Sequence, residues 1–273
     1  MKKILRALYH SPDKLRKHYL DRRSTVYPNP IIVLGNQKSG TSAIAALLAE
    51  LTGLSVTIDL LEIREPVQGK LHRGELSFSE FVNRNKYDFS KEIIKEPSLT
   101  FLVEDLDRYF PETKKVFIIR DPRDNIRSIL NRVKIPGDLK QLGHEEEKQL
   151  KRAPLDWKRV IDSRWLGIEG ENYIEWMAER WNLAVDIYKK HEEEMILVRY
   201  EDFVKDKVAH IEQLAQTLGL PKINGIEDKV DIQYQPAGNQ RVNKVDFFGE
   251  ENLMKIENLC GTRMKEFGYA KLL

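Results

Sequence analysis

The chain is short of cysteine, of long apolar runs and of net charge. Cys260 is its only cysteine, which excludes an intramolecular disulfide and any zinc site built from several cysteines. That usage agrees with a reducing compartment. No apolar run approaches the roughly 18 residues that a membrane span needs. The first twenty residues, MKKILRALYHSPDKLRKHYL, begin basic but hold no long apolar core and no small-residue cleavage site. A secretory signal is therefore not expected, and a cytoplasmic location is. Lys plus Arg is 45 and Asp plus Glu is 43, a net +2. No global basic excess points to nucleic acid, so any anion must be held by local placement of cations. There are no repeats, low-complexity tracts or linker-like stretches. The 273 residues, 41% apolar and 32% charged, read as one globular domain spanning 1–273 with ample core.

What is present is an alternation of short apolar runs and helical patterns. Residues 1–25 read as a basic helical segment with Leu5, Leu8 and Tyr9 near one face. It either packs on the domain or makes a weak contact with a membrane surface or partner. Ile31–Leu34, Leu54–Ile58, Lys115–Ile119 and Met195–Arg199 read as four strands, and Glu92–Lys95 as a short extended piece that stops at Pro97. Between them, Thr41–Leu51, Ser77–Asn85, Ser98–Tyr109, Glu171–His191 and Asp206–Leu218 read as helices. Asp121-Pro122 opens a further helix to about Val133, because Asp caps and Pro suits the first helical position. Phe247–Phe267 completes the set. Residues 134–172 are polar and Pro-interrupted, and read as a substrate-side insertion over one end of the sheet. Strands alternating with helices predict an α/β three-layer fold around a central parallel sheet.

The most informative segment follows the first strand: Gly35-Asn36-Gln37-Lys38-Ser39-Gly40-Thr41-Ser42. Small residues let backbone N–H groups converge on an anion at a helix N-terminus. Thr41 and Ser42 add hydroxyls, and Lys38 adds charge. Gly35 and Gly40 have the spacing of a Walker A loop, but Thr41 stands where that loop carries its lysine. This weakens an ATP-hydrolysing reading. The second cation site is Arg120, at the carboxyl end of a predicted parallel strand, where α/β folds bind ligands. Ser128 lies eight residues on. An arginine fork and a hydroxyl suit a terminal phosphate, although a salt bridge would also occupy Arg120. Arg123 and Arg127 read as a solvated helix face.

With Lys38-Ser39-Gly40-Thr41-Ser42 and the Arg120–Ser128 segment in place, the chain resembles the sulfotransferase family that uses 3′-phosphoadenosine 5′-phosphosulfate. The resemblance implies a P-loop-like fold and no required metal. It implies that Lys38, Ser39, Gly40, Thr41 and Ser42 cradle the 5′-phosphosulfate and that Arg120 and Ser128 hold the 3′-phosphate. The product would be 3′-phosphoadenosine 5′-phosphate. Glu179-Arg180-Trp181-Asn182 and Val198-Arg199-Tyr200-Glu201-Asp202-Phe203 resemble the family's helix and strand end, which puts Tyr200 near the adenine or in the core. Gly238-Asn239-Gln240-Arg241 resembles the loop that closes over the nucleotide, so Asn239 and Arg241 are cofactor candidates.

Two departures matter. Ala43 replaces a tryptophan common in cytosolic steroid and phenol enzymes. Pro97 replaces the histidine base of the Lys-Thr-His pattern after Lys95. The base is then expected to be a carboxylate, similar to the tyrosylprotein and heparan branches, within a soluble, bacterial-type member. Glu62 leads, because Glu62-Ile63-Arg64 resembles a Glu-Thr-Arg segment; Glu65 and Glu96 compete. Lys38 and Lys95 supply catalytic charge, and Arg64 would bind the acceptor. Trp157 and Trp165 either line an acceptor pocket or pack the insertion, while Trp176 and Trp181 read as core. The expected reaction is sulfuryl transfer to a hydroxyl of a small-molecule, glycan or lipid-linked acceptor. The alternatives are a small-molecule or nucleotide kinase and a non-catalytic nucleotide-binding module.

Overall fold

The computed structural model describes residues 14–232 and 242–273. They form two compact units, one of residues 14–35, 40–118 and 192–232, the other of 36–39, 119–191 and 242–273. No described helix is long and apolar enough to cross a membrane.

The first unit is organised by a five-stranded sheet of β1 (Ile31–Gly35), β2 (Val56–Ile58), β3 (Ile93–Lys95), β4 (Lys115–Ile119) and β5 (Met195–Arg199). The strand order is β2-β3-β1-β4-β5. The pairs β1–β3, β1–β4 and β2–β3 are parallel, with Val33 opposite both Lys95 and Val116. β1, β3 and β4 are buried along their whole length, which suits their runs of branched and aromatic apolar residues; Lys95 and Lys115 are the charged exceptions at the ends of β3 and β4. β5 is mostly half-buried. The helix Thr41–Thr52 lays Ile44, Leu47, Leu48 and Leu51 into a core with Val33, Ile93 and Val116, which Ile211 and Leu214 complete. Each such side chain contributes roughly 1.5–3 kcal/mol.

The topology marks a binding edge. β1 leads to β2 on one side of the sheet, and β4 leads to β5 on the other. Ligands of open α/β sheets sit where the chain diverges in this way, beyond the strands' carboxyl ends. Gly35 ends β1 there. A Cβ on Gly35 would come within 2.5 Å of the Ile118 carbonyl oxygen, so only glycine lets β1 and β4 approach.

The segment after β3 departs from expectation. Ser98–Tyr109 is not one helix but a 3-10 turn, Pro97–Leu102, followed by an α-helix, Val103–Tyr109. The cause is side-chain bonding to the backbone, one bond near in sequence and one far. Glu96 Oε1 accepts from the Ser98 amide, and the buried Thr100 hydroxyl bonds the Gly35 amide and carbonyl. These draw a tighter turn onto β1. The basic helix Lys14–Arg23 docks through Lys17, which is buried between Asp21, Asp88 and Asn85. Leu5, Leu8 and Tyr9 lie outside the described residues.

The second unit is helical. Pro122–Val133 starts as expected, with Asp121 accepting from the Arg123 amide. Tyr173–Lys190 is capped by Asn172 and packs against Lys244–Glu266. The latter starts before Phe247 because Asn243 caps it, and it breaks at Gly249. The polar region 134–172 contains two short helices, His144–Arg152 and Leu155–Ile161, and a 3-10 turn, Ser163–Leu166. Leu155–Ile161 and that turn lie against Tyr173–Lys190.

Candidate active site

In the first unit the site begins at the N-terminus of the helix Thr41–Thr52. Its cap is Gly40 at φ 96°, which has no side chain to satisfy the first amides. Such a terminus favours an anion. Thr41 and Ser42 are buried in the first turn. The Cδ2–Cε2 edge of Tyr200 comes up against Gly40, where a Cβ would meet Cδ2 at 2.3 Å. Tyr200 is thus brought beside the loop's second glycine.

The ends of β2 and β3 carry a second group. Lys95 is almost fully buried, and its ammonium pairs with Asp59, which is partly exposed. The Asp59 amide donates to the Lys95 carbonyl at 3.0 Å. Asp59 takes a left-handed φ of 65°, a conformation that side chains seldom adopt and that costs energy. Glu96 is buried, its Oε2 accepting from the Leu60 amide at 3.0 Å and its Oε1 from the Ser98 amide at 2.9 Å. Burial, and then the Asp59 charge, push its carboxyl above the usual range. With both oxygens engaged by backbone, Glu96 clasps the turns after β2 and β3. Glu62 and Arg64 are exposed around the 3-10 turn Leu61–Ile63, and Glu65 is half-buried. The Lys95 ammonium pairs with Asp59 rather than Glu62.

In the second unit, Asn36–Ser39 forms an arch held by side chains. Lys38 is half-buried, at a left-handed φ of 69°. Arg120 Nη1 donates to the Lys38 carbonyl at 2.9 Å, which ties two cationic residues to one turn. The Trp181 indole N–H donates to the Arg120 carbonyl at 2.8 Å, so the core tryptophan also fixes Arg120. Asn125 Nδ2 donates to the Gln37 carbonyl at 2.8 Å and to Ser39 Oγ at 3.0 Å. Asn36 Nδ2 donates to Asn125 Oδ1 at 3.0 Å. Arg180 Nε donates to Asn36 Oδ1 at 3.0 Å, and its Nη2 to Gln37 Oε1 at 2.8 Å. Ser128 is half-buried in the helix Pro122–Val133.

Some neighbours differ from expectation. Arg123 is not solvated: it is 3% exposed and bridges Asp121 and Glu257 at 2.6 and 2.5 Å. Arg127 pairs with Asp124 at 2.6 Å and donates to the Val242 carbonyl at 3.0 Å. Trp157 and Trp165 are half-buried, with Arg132 over the first ring and Arg159 over the second at 5.5 and 5.0 Å. Trp176 is also only half-buried, under Arg164, whereas Trp181 is core. Asn239 and Arg241 lie outside the described residues.

Sequence reasoning missed Asp59, Asn36, Asn125 and Arg180 as site-building residues. Asn36 meets Asn125 across 89 residues and Arg180 across 144. No spacing rule links them, though Arg180 stood inside the quoted Glu179–Asn182 segment. In chemical terms, the first unit offers a glycine-capped helix start with two hydroxyls, and the second an arch with a cation and a hydroxyl; each set of donors suits a phosphate or sulfate ester.

The family model for the sulfotransferase domain matches residues 28–250. No curated protein matches the chain. Among solved structures, the chain is similar to sulfotransferase STF9 from Mycobacterium avium, at 12% identity and a TM-score of 0.55, covering 94% of this chain and 81% of that one. It is also similar to mouse sulfotransferase SULT7A1, solved in complex with PAP, at 14% identity and a TM-score of 0.50, covering 94% and 95%. At these identities the likeness speaks to the fold, a central parallel sheet flanked by helices.

Proposed function

Since the match over residues 28–250 shows that the chain belongs to the sulfotransferase domain family, we propose that it moves a sulfuryl group from 3′-phosphoadenosine 5′-phosphosulfate to an acceptor hydroxyl. The observation that carries this reading is the Arg120 bond to the Lys38 carbonyl. It ties the Arg120 guanidinium to the turn that carries Lys38, after β1, where a multiply charged nucleotide needs cations. PAP in the mouse neighbour supports the choice of nucleotide. The donor set fits it: Lys38, Ser39, Gly40, Thr41 and Ser42 hold the 5′-group, Arg120 and Ser128 the 3′-phosphate, and Tyr200 the adenine side. Asn239 and Arg241 would close over it. The match runs through stretches of both compact units, which supports treating 1–273 as one catalytic domain.

The phosphosulfate supplies an activated sulfuryl group. Lys38 neutralises the phosphate oxygen as its bond to sulfur breaks, and Lys95 adds charge. A carboxylate takes the acceptor proton as the new oxygen–sulfur bond forms. Glu62 is exposed to an incoming acceptor, beside Arg64 as an anchor. Asp59 is the second candidate, favoured by its pair with Lys95. Glu62→Gln should keep nucleotide affinity and lower turnover by about 10²–10⁴-fold, the ordinary worth of a general base. Steady-state rates of Glu62→Gln and Asp59→Asn side by side decide it. Full activity in the Glu62 variant with loss in the Asp59 variant moves the role to Asp59.

The acceptor is proposed to be a carbohydrate or a lipid-linked hydroxyl, with Trp157 and Trp165 as its aromatic surfaces. A cytoplasmic setting and a weak membrane contact through the basic N-terminal segment go with that reading. Labelled sulfate transfer to panels of glycans and hydroxylated lipids tests it. Product confined to amines would overturn it.

A further inference from the structure

Arg180 is fully buried on the helix Tyr173–Lys190. Burying a guanidinium is costly unless its hydrogen bonds are met. Burial pushes it down to about 9, so it still carries its charge near neutrality. Its Nε and Nη2 donate to two amide oxygens of the arch, Asn36 Oδ1 and Gln37 Oε1. A guanidinium can only donate. Both amides must therefore turn oxygen toward Arg180, which leaves Asn36 Nδ2 to face Asn125 Oδ1 at 3.0 Å. Asn125 in turn must present Nδ2 to the Gln37 carbonyl and to Ser39 Oγ. The donor-only guanidinium at one end and the acceptor-only Gln37 carbonyl at the other agree on the direction of every bond in this relay. The relay ends on the residues that flank Lys38.

We propose that Arg180 is a positioning residue for the phosphate-binding turn, acting through Asn36, Gln37 and Asn125 to hold Lys38 and Ser39 in their anion-ready shape, with its charge set behind the 5′-group of the nucleotide. The inference rests on the sulfotransferase reading and goes beyond it. It concerns a fully buried residue that acts through its neighbours, and it assigns that residue to the 5′ end alone.

The test measures binding of adenosine 3′,5′-bisphosphate and adenosine 3′-monophosphate by calorimetry, on the full chain and its Arg180→Gln, Arg180→Lys and Gln37→Ala variants. Arg180→Gln should weaken the bisphosphate roughly 10- to 100-fold, the scale of lost charged hydrogen bonds, and leave the 3′-monophosphate within about threefold. Arg180→Lys should recover part of the loss, because it restores charge but not the fork. Gln37→Ala removes one arm of the fork, should weaken the bisphosphate several-fold, and carries the test if Arg180→Gln does not fold. Equal losses for both nucleotides, or no loss in a folded variant, would overturn the proposal. A wild-type chain indifferent to the 5′-phosphate would overturn the functional reading itself, and the inference with it.

Discussion

Lys38→Met is expected to lower kcat by about 10²–10³-fold, the scale of removing one preorganised donor from a developing anion, ~2.7–4 kcal/mol. The bridging oxygen between phosphate and sulfur gains negative charge only as the bond breaks. A cation placed for that moment stabilises the transition state more than the bound nucleotide. The proposed role of Lys38 is consistent with the way its backbone is held. Its backbone sits at a left-handed φ, and its carbonyl is fixed by Arg120. Its neighbours Gln37 and Ser39 are fixed by Asn125. The substitution removes the ammonium and leaves these backbone bonds in place. Bisphosphate affinity should therefore fall much less than turnover. Single-turnover kinetics with a saturating cosubstrate separates the two. A variant that lost affinity and kept its rate would return Lys38 to simple binding.

Arg120→Ala is expected to act on binding instead. The side chain is assigned to the 3′-phosphate, and a lost charge-assisted interaction weakens binding by about 10- to 100-fold. The wild-type chain should prefer the 3′,5′-bisphosphate over adenosine 5′-phosphate, and the variant should lose that preference. The bond from Arg120 Nη1 to the Lys38 carbonyl adds a second consequence. Adenosine 5′-phosphate itself should bind the variant somewhat more weakly, because the turn loses a brace. Competition binding with the two nucleotides reads both effects. Selectivity that survived in Arg120→Ala would move the 3′-phosphate to another cation.

The elements that are local in sequence are legible in the sequence itself. Strand β1, the glycine-bounded turn and the helix Thr41–Thr52 form one run, and their apolar and small residues announce a strand, a turn and a helix. Asp121-Pro122 likewise fixed the start of its helix. Non-local bonding escaped. The helix expected over Ser98–Tyr109 tightens into a 3-10 turn because Thr100 bonds Gly35 across 65 residues. Arg123 looked like a solvated helix residue because Glu257, which accepts from it across 134 residues, cannot be paired with it by spacing. Asp59 went unnoticed because its value lies in the ammonium of Lys95 and in an unusual φ, and neither has a sequence signature. The same holds for Arg180, whose partners are ordinary amides until the fold assembles them. Net charge misled least: a total of +2 is compatible with Lys38 and Arg120 meeting at one turn.

The claim that matters most is that this turn is built for a 3′-phosphorylated adenine nucleotide. Thermal unfolding of the full chain with 3′-phosphoadenosine 5′-phosphate, with adenosine 5′-phosphate and with ATP plus magnesium tests it most directly. At a hundredfold excess over the dissociation constant, a ligand of the native state adds about 2.7 kcal/mol of stability. The bisphosphate should raise the midpoint at the lowest concentration, and ATP with magnesium should need far more. Equal or greater stabilisation by ATP with magnesium would contradict the account and favour a kinase.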